Sequence, residues 1–100
     1  MIKGTTPKHT FSLPFGTETI KTIQITYAQS GIVRLTKGND DCTFDGNTAS
    51  VKLTQEETFL FAEGSCIEVQ VRILTTAGDA LASHVMRVHC NECLSKDVLE

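Results

Sequence analysis

The sequence predicts an all-β fold, a β-sandwich of about seven antiparallel strands. Three observations predict it. Apolar residues alternate with polar ones at period two in run after run. Glycine-, asparagine- and aspartate-bearing turns separate the runs every eight to twelve residues or so. No long segment repeats at the helical period, which removes a parallel α/β fold. The pattern is clearest late in the chain. There Ile67, Val69, Val71 and Ile73 lead through Ala77-Gly78-Asp79 into a second run from Leu81 to Cys90, a closing hairpin.

The other elements follow in order. After the polar lead-in Gly4-Thr5-Thr6-Pro7, His9, Phe11 and Leu13 alternate with Thr10 and Ser12 as a first strand. Pro14 ends it, because proline gives no N–H to a ladder. Ile23, Ile25 and Tyr27 carry a second strand, Gln29-Ser30-Gly31 a hairpin turn, and Val33 and Leu35 a third strand. Lys37-Gly38-Asn39-Asp40 breaks the chain before a brief strand from Cys42 to Phe44. Asp45-Gly46-Asn47 suits a type I′ turn. Thr48 to Leu53 follows, with Val51 and Leu53 inward. Thr54-Gln55-Glu56-Glu57 is a capping box, in which the Thr54 hydroxyl accepts the Glu57 amide and Glu57 reaches back. Too few apolar residues follow for a real helix, so one helical turn, or a turn only, crosses between the sheets.

One hundred residues make a single domain, residues 1–100, with an apolar fraction of 40% that suffices for one core. The net charge is −3, and Lys and Arg are scattered without a basic stripe. Nucleic acid and anionic membrane are therefore not expected as partners. No apolar run approaches a membrane helix, and Met1-Ile2-Lys3-Gly4 opens no signal peptide. The expected location is the cytoplasm, where the chain is made and kept or assembled and where the four cysteines stay reduced.

Chemistry-bearing constellations are few. Cys90-Asn91-Glu92-Cys93, with His89 adjacent, is half of a tetrahedral zinc site, which Cys42, Cys66, His9 or His84 would have to complete. Against it, residues three apart on a continuing strand point to opposite faces. Cys66 and Cys90 are equidistant from Gly78 and can lie across the hairpin, although a sandwich disulfide normally joins facing sheets. His84 and His89 fall on opposite faces of the last run, and a Ser83-His84-Asp79 set is too close in sequence to converge. Glu56 and Glu57 pair two carboxylates at a turn, but Glu57 is already a cap. The expectation is no catalytic, cofactor-binding or metal-binding residue, hence no enzyme and no cofactor. The polar strand faces, Thr22, Gln24, Thr26, Lys52, Gln70 and Arg72, are solvated or form a flat docking surface.

Several segments together resemble a family of small prophage-encoded proteins of Firmicutes. They are Gly4-Thr5-Thr6-Pro7 with Phe11-Ser12-Leu13-Pro14-Phe15, Ile25-Thr26-Tyr27-Ala28-Gln29, Val51 through Thr58, and Val69 through Leu81. The family resembles the immunoglobulin-like N-terminal domain of phage baseplate upper proteins. The resemblance implies a structural or interaction role in phage tail or baseplate assembly, with other phage structural proteins or further copies of the chain as partners. It carries over no catalytic residue. Baseplate upper proteins continue into a receptor-binding-protein region, whereas this sequence stops at Glu100, so a small accessory or capping piece fits better than a bridge. Two other classes compete. One is a small metal-binding protein using Cys90 and Cys93. The other is a carbohydrate-binding module, for which the lack of Trp and the single Tyr27 are unfavourable.

Overall fold

In chain order the strands are β1 (Lys8–Ser12), β2 (Ile20–Gln29), β3 (Ile32–Lys37), β4 (Cys42–Asp45), β5 (Thr48–Lys52), β6 (Cys66–Thr75), β7 (Ala80–Ala82) and β8 (Met86–His89). One helical turn, α1 (Gln55–Thr58), joins β5 to β6. The computed structural model describes residues 1–83 and 85–100. His84, and with it the Ser83-His84-Asp79 set that the sequence argued against and the face expected for His84, lies outside the described residues.

Two antiparallel sheets form, ordered β1-β5-β4 and β3-β2-β6-β7, with β8 also paired to β6. The first has the order of strands B, E and D in an immunoglobulin sandwich, and the second that of C′, C, F and G. The core lies between them because parity turns one side of each long strand inward. Ile23, Ile25 and Tyr27 of β2 stand opposite Ile73, Val71 and Val69 of β6, and all six are buried. Ala49, Val51 and Leu53 close the core from the other sheet, and Phe61 after α1 fills the gap between them.

Where the structure departs from the sequence reading, a local irregularity is the cause. The run from Leu81 to Cys90 holds two strands rather than one, which makes eight among the described residues. Leu81 pairs with Ile73, but Met86 pairs with Val69, so one extra residue lies between them. Ser83 stands at the break; its N–H donates to Val71 O and its hydroxyl accepts from Val71 N–H. The insertion switches the inward positions from odd to even. Similarly, β3 shifts register against β2 between Tyr27 and Ala28. Leu35 stays half-buried, whereas Val33 is 59% exposed. Gln29, expected in the turn, is the buried end of β2.

The turns obey glycine chemistry. The β2–β3 loop is Ser30-Gly31, with φ of 51° and 78°, the two positive values that a type I′ turn needs. In the β4–β5 loop Asp45 pairs with Thr48, so the central residues are Gly46 and Asn47. Gly46 has φ of 59° and Asn47 is not positive. This glycine-first pattern belongs to type II′ rather than the expected type I′. The capping box forms as read: Glu57 N–H donates to the Thr54 hydroxyl at 3.1 Å, and Thr54 N–H donates to Glu57 Oε1 at 2.8 Å.

Candidate interaction surface

Among the described residues, those singled out for chemistry do not converge. Cys90 is fully buried, Cys93 half-buried, Cys66 exposed and Cys42 half-buried, and all four thiols are free. Cys66 pairs with His89, not Cys90, because Cys90 N–H donates to Ser65 O. This one-residue offset puts Cys66 and Cys90 on opposite faces. Cys93 Sγ and the Phe59 ring instead lie beside Gly4, whose φ of 79° disfavours a side chain and where a Cβ would meet Phe59 Cζ at 2.8 Å. Burial pushes the Cys90 thiol above its ordinary pKa, the wrong direction for a thiolate ligand or nucleophile. Among the described residues, no three His, Cys, Asp or Glu side chains are grouped to hold a metal ion.

A polar cluster does sit in the interior, and the sequence reading missed most of it. The Lys37 ammonium, at the end of β3, pairs with Glu57 Oε2. The two side chains are only 10% and 22% exposed. Burial alone raises the Glu57 carboxyl, but Lys37 and the Thr54 bonds outweigh it and hold the group below its ordinary value. Glu57 thus caps α1 and ties it to the edge of the five-stranded sheet. Nearby, His9 Nδ1 and the Tyr27 hydroxyl share a hydrogen bond of 2.7 Å between the sheets. Burial, with the N-terminal ammonium second, lowers the His9 pKa, and burial raises that of Tyr27, so both stay neutral. The Gln29 amide pairs doubly with the Ala62 backbone, donating to its carbonyl and accepting from its N–H. One signal for Lys37 was present in the sequence: it continues the parity of Leu35. A lysine in that place reads by default as solvated.

The outer face of the five-stranded sheet gathers most of the expected polar residues. Gln24 stands beside Arg72, Thr26 beside Gln70 and Thr22 beside Leu74. A shallow depression of about 300 Å³ lies over Thr22, Gln24, Arg72, Leu74 and Ala80 and reaches Leu81 at the sheet edge. Lys52 is not part of this face; it lies on β5, in the other sheet, opposite Lys8.

The flank of the sandwich between β1 and β7–β8 is more distinctive. One sheet has three strands and the other five, so their edges do not close over the core here. Two hollows follow one another along β1. The first, about 310 Å³, lies between Leu13, Phe15 and the β6–β7 side chains Val71, Ile73 and Leu81. The second, about 260 Å³, lies between Lys8, His9, Phe11 and the β6–β8 side chains Val69, Met86 and Val88. Leu81 and Met86 pair with buried residues and so face inward, yet they are 45% and 36% exposed. Inward-facing apolar side chains that stay wet are a surface waiting for a cover.

Fold and flank together define the class: an all-β sandwich with an open apolar side. No protein-family model matches the chain, and searches of curated proteins and of solved structures return no significant match. Among the described residues, no helix is long and apolar enough to cross a membrane.

Proposed function

We propose that this protein is a structural or interaction module without catalysis, which docks onto other structural proteins of a phage particle during tail or baseplate assembly. One observation carries the interaction reading: Leu81 and Met86 face inward beside Phe11, Leu13 and Phe15 but remain exposed along the open flank. Such a flank gains by burying apolar area against another macromolecule. The phage context rests on the resemblance of the strand and turn segments to prophage-encoded proteins, and it puts the chain in the virion or the host cytoplasm. Fractionation of particles from an induced lysogen, with light scattering of the purified chain across concentrations, tests this. The chain is expected to co-sediment with particles or assembly intermediates, or to self-associate. A strict monomer that never travels with particles refutes the reading.

A further inference from the structure

We infer that the flank between β1 and β7–β8 accepts an extended segment of a partner protein as an added β-strand, with alternating apolar residues and acidic ones beside them. The inference rests on the interaction reading above and names the occupant of its surface.

The backbone argument comes first. Leu13 N–H donates to Asn47 O, and Leu53 N–H donates to Pro7 O. These bonds fix the odd-numbered residues of β1 as the ones tied to β5. Antiparallel alternation then turns the peptide groups of Lys8, Thr10 and Ser12 toward the flank. On the other side, Met86 and Val88 stand opposite Val69 and Ile67, and Cys90 N–H donates to Ser65 O. By the same alternation, Arg87 and His89 present their peptide groups outward. Two sheet edges therefore border one groove, the geometry that strand addition uses.

The chain already performs this addition at one end of the edge. The Met1 ammonium donates to His89 O, Asn91 N–H donates to Met1 O, and Lys3 N–H donates to Asn91 O. Ile2 and Asn91 form a parallel bridge. Beyond this short cover, β8 at Met86–His89 and β7 at Ala80–Ala82 pair with β6 alone among the described residues. An occupant would continue the line that Met1–Lys3 begins.

Side chains set the sequence of the occupant. Phe11, Leu13 and Phe15 on one wall and Leu81 and Met86 on the other accept apolar residues at alternate positions. Among the described residues no carboxylate lines either hollow, although the chain is net negative. Lys8 lines one of them. Among the described residues the formal charge in these linings is that of Lys8, a cation on an acidic protein. That favours a partner segment with Asp or Glu over a second copy of this chain.

The test is a selection of random peptides displayed on yeast against the whole purified chain, with binding of enriched peptides measured by fluorescence anisotropy. Enriched sequences are expected to alternate apolar residues and to carry Asp or Glu. Their affinity should fall at least about tenfold with Leu81→Lys or Met86→Lys. It should fall also with Thr10→Pro, which removes a flank-facing N–H and leaves the β5 ladder whole. Arg72→Glu, on the outer face, should change nothing. Amide shifts of the parent chain keep the outcome independent of variant folding: perturbation of Thr10, Ser12, Ala82 and Arg87 supports the flank. Peptides that need Arg72 and shift Gln24 overturn the inference and leave the interaction reading standing. Failure to enrich any extended sequence also overturns it, while particle fractionation judges the broader reading separately.

Discussion

Replacing Glu57 by Gln isolates the interior ion pair from the helix cap. Gln at the same place still accepts from Thr54 N–H, because glutamine serves a capping box as glutamate does. What is lost is the charge facing Lys37, whose side chain is 10% exposed. Breaking a fully buried pair by removing one partner costs about 3–5 kcal/mol, and an exposed pair is worth about 0–1. With Glu57 at 22% exposure the pair lies between these limits, and Glu57→Gln should cost about 2 kcal/mol. In a domain of this size that lowers the melting temperature by roughly 8–16 °C. Lys37→Met keeps the buried stem and removes the charge, leaving Glu57 partly solvated and bonded to Thr54. It should cost about 1 kcal/mol or less. The double variant should recover to within about 1 kcal/mol of the parent, because neither charge is left alone. Urea melts of all four chains give the coupling energy directly. The acid limb supplies a second check. Glu57 has its pKa lowered from 4.5, so the stability it adds is present above that value and is lost as pH falls through its folded pKa. Lys37→Met should flatten that loss. If Lys37→Met proves as damaging as Glu57→Gln and the double variant costs their sum, the pair is not coupled and the reasoning fails.

His9 adds a pH dependence in a higher window. Its folded pKa is lowered from 6.5, so the folded chain resists a proton that the unfolded chain takes; stability is full above 6.5 and declines as pH falls below it. Thermal melts between pH 7.5 and 5 should show this, and His9→Gln should remove it; an unchanged slope counts against a half-buried neutral imidazole. Val71→Asp should cost several kcal/mol and soluble yield, because Val71 is 3% exposed, whereas Arg72→Asp on the outer face should be close to neutral; equal melting temperatures would mean that the register of β6 is wrong. Gly78 has φ of 92° and open space around its missing side chain, so Gly78→Val should cost about 1–2 kcal/mol from backbone strain alone and Gly78→Asn less. Denaturant midpoints decide it, and a valine variant as stable as the parent refutes it. Replacing Cys90 and Cys93 together by Ser should cost at most about 2 kcal/mol, from packing and one buried hydroxyl, and chelator should leave the parent folded. Unfolding in both circular dichroism experiments would restore the zinc reading.

Local chemistry wrote much of this fold into the sequence. Period-two alternation determined which side chains of β1, β2, β5 and β6 face inward, since strand parity depends only on neighbours along the chain. Gly31, Gly46 and Gly78 marked the turns through their left-handed φ, and Thr54 with Glu57 marked the cap. Tertiary structure decided the rest. The extra residue between Leu81 and Met86 has no signature in composition, yet it reverses parity, splits the last strand and leaves both side chains facing an open groove. Whether Cys66 meets His89 or Cys90 depends on a one-residue register set across the hairpin, which spacing from Gly78 does not fix. Lys37 and Gln29 are polar residues at inward positions. Their burial became affordable only when Glu57 and the Ala62 backbone, from a distant segment, arrived to satisfy them. The open flank belongs to the same class. It exists because one sheet stops at three strands and the other at five, and strand number per sheet is a property of long-range pairing.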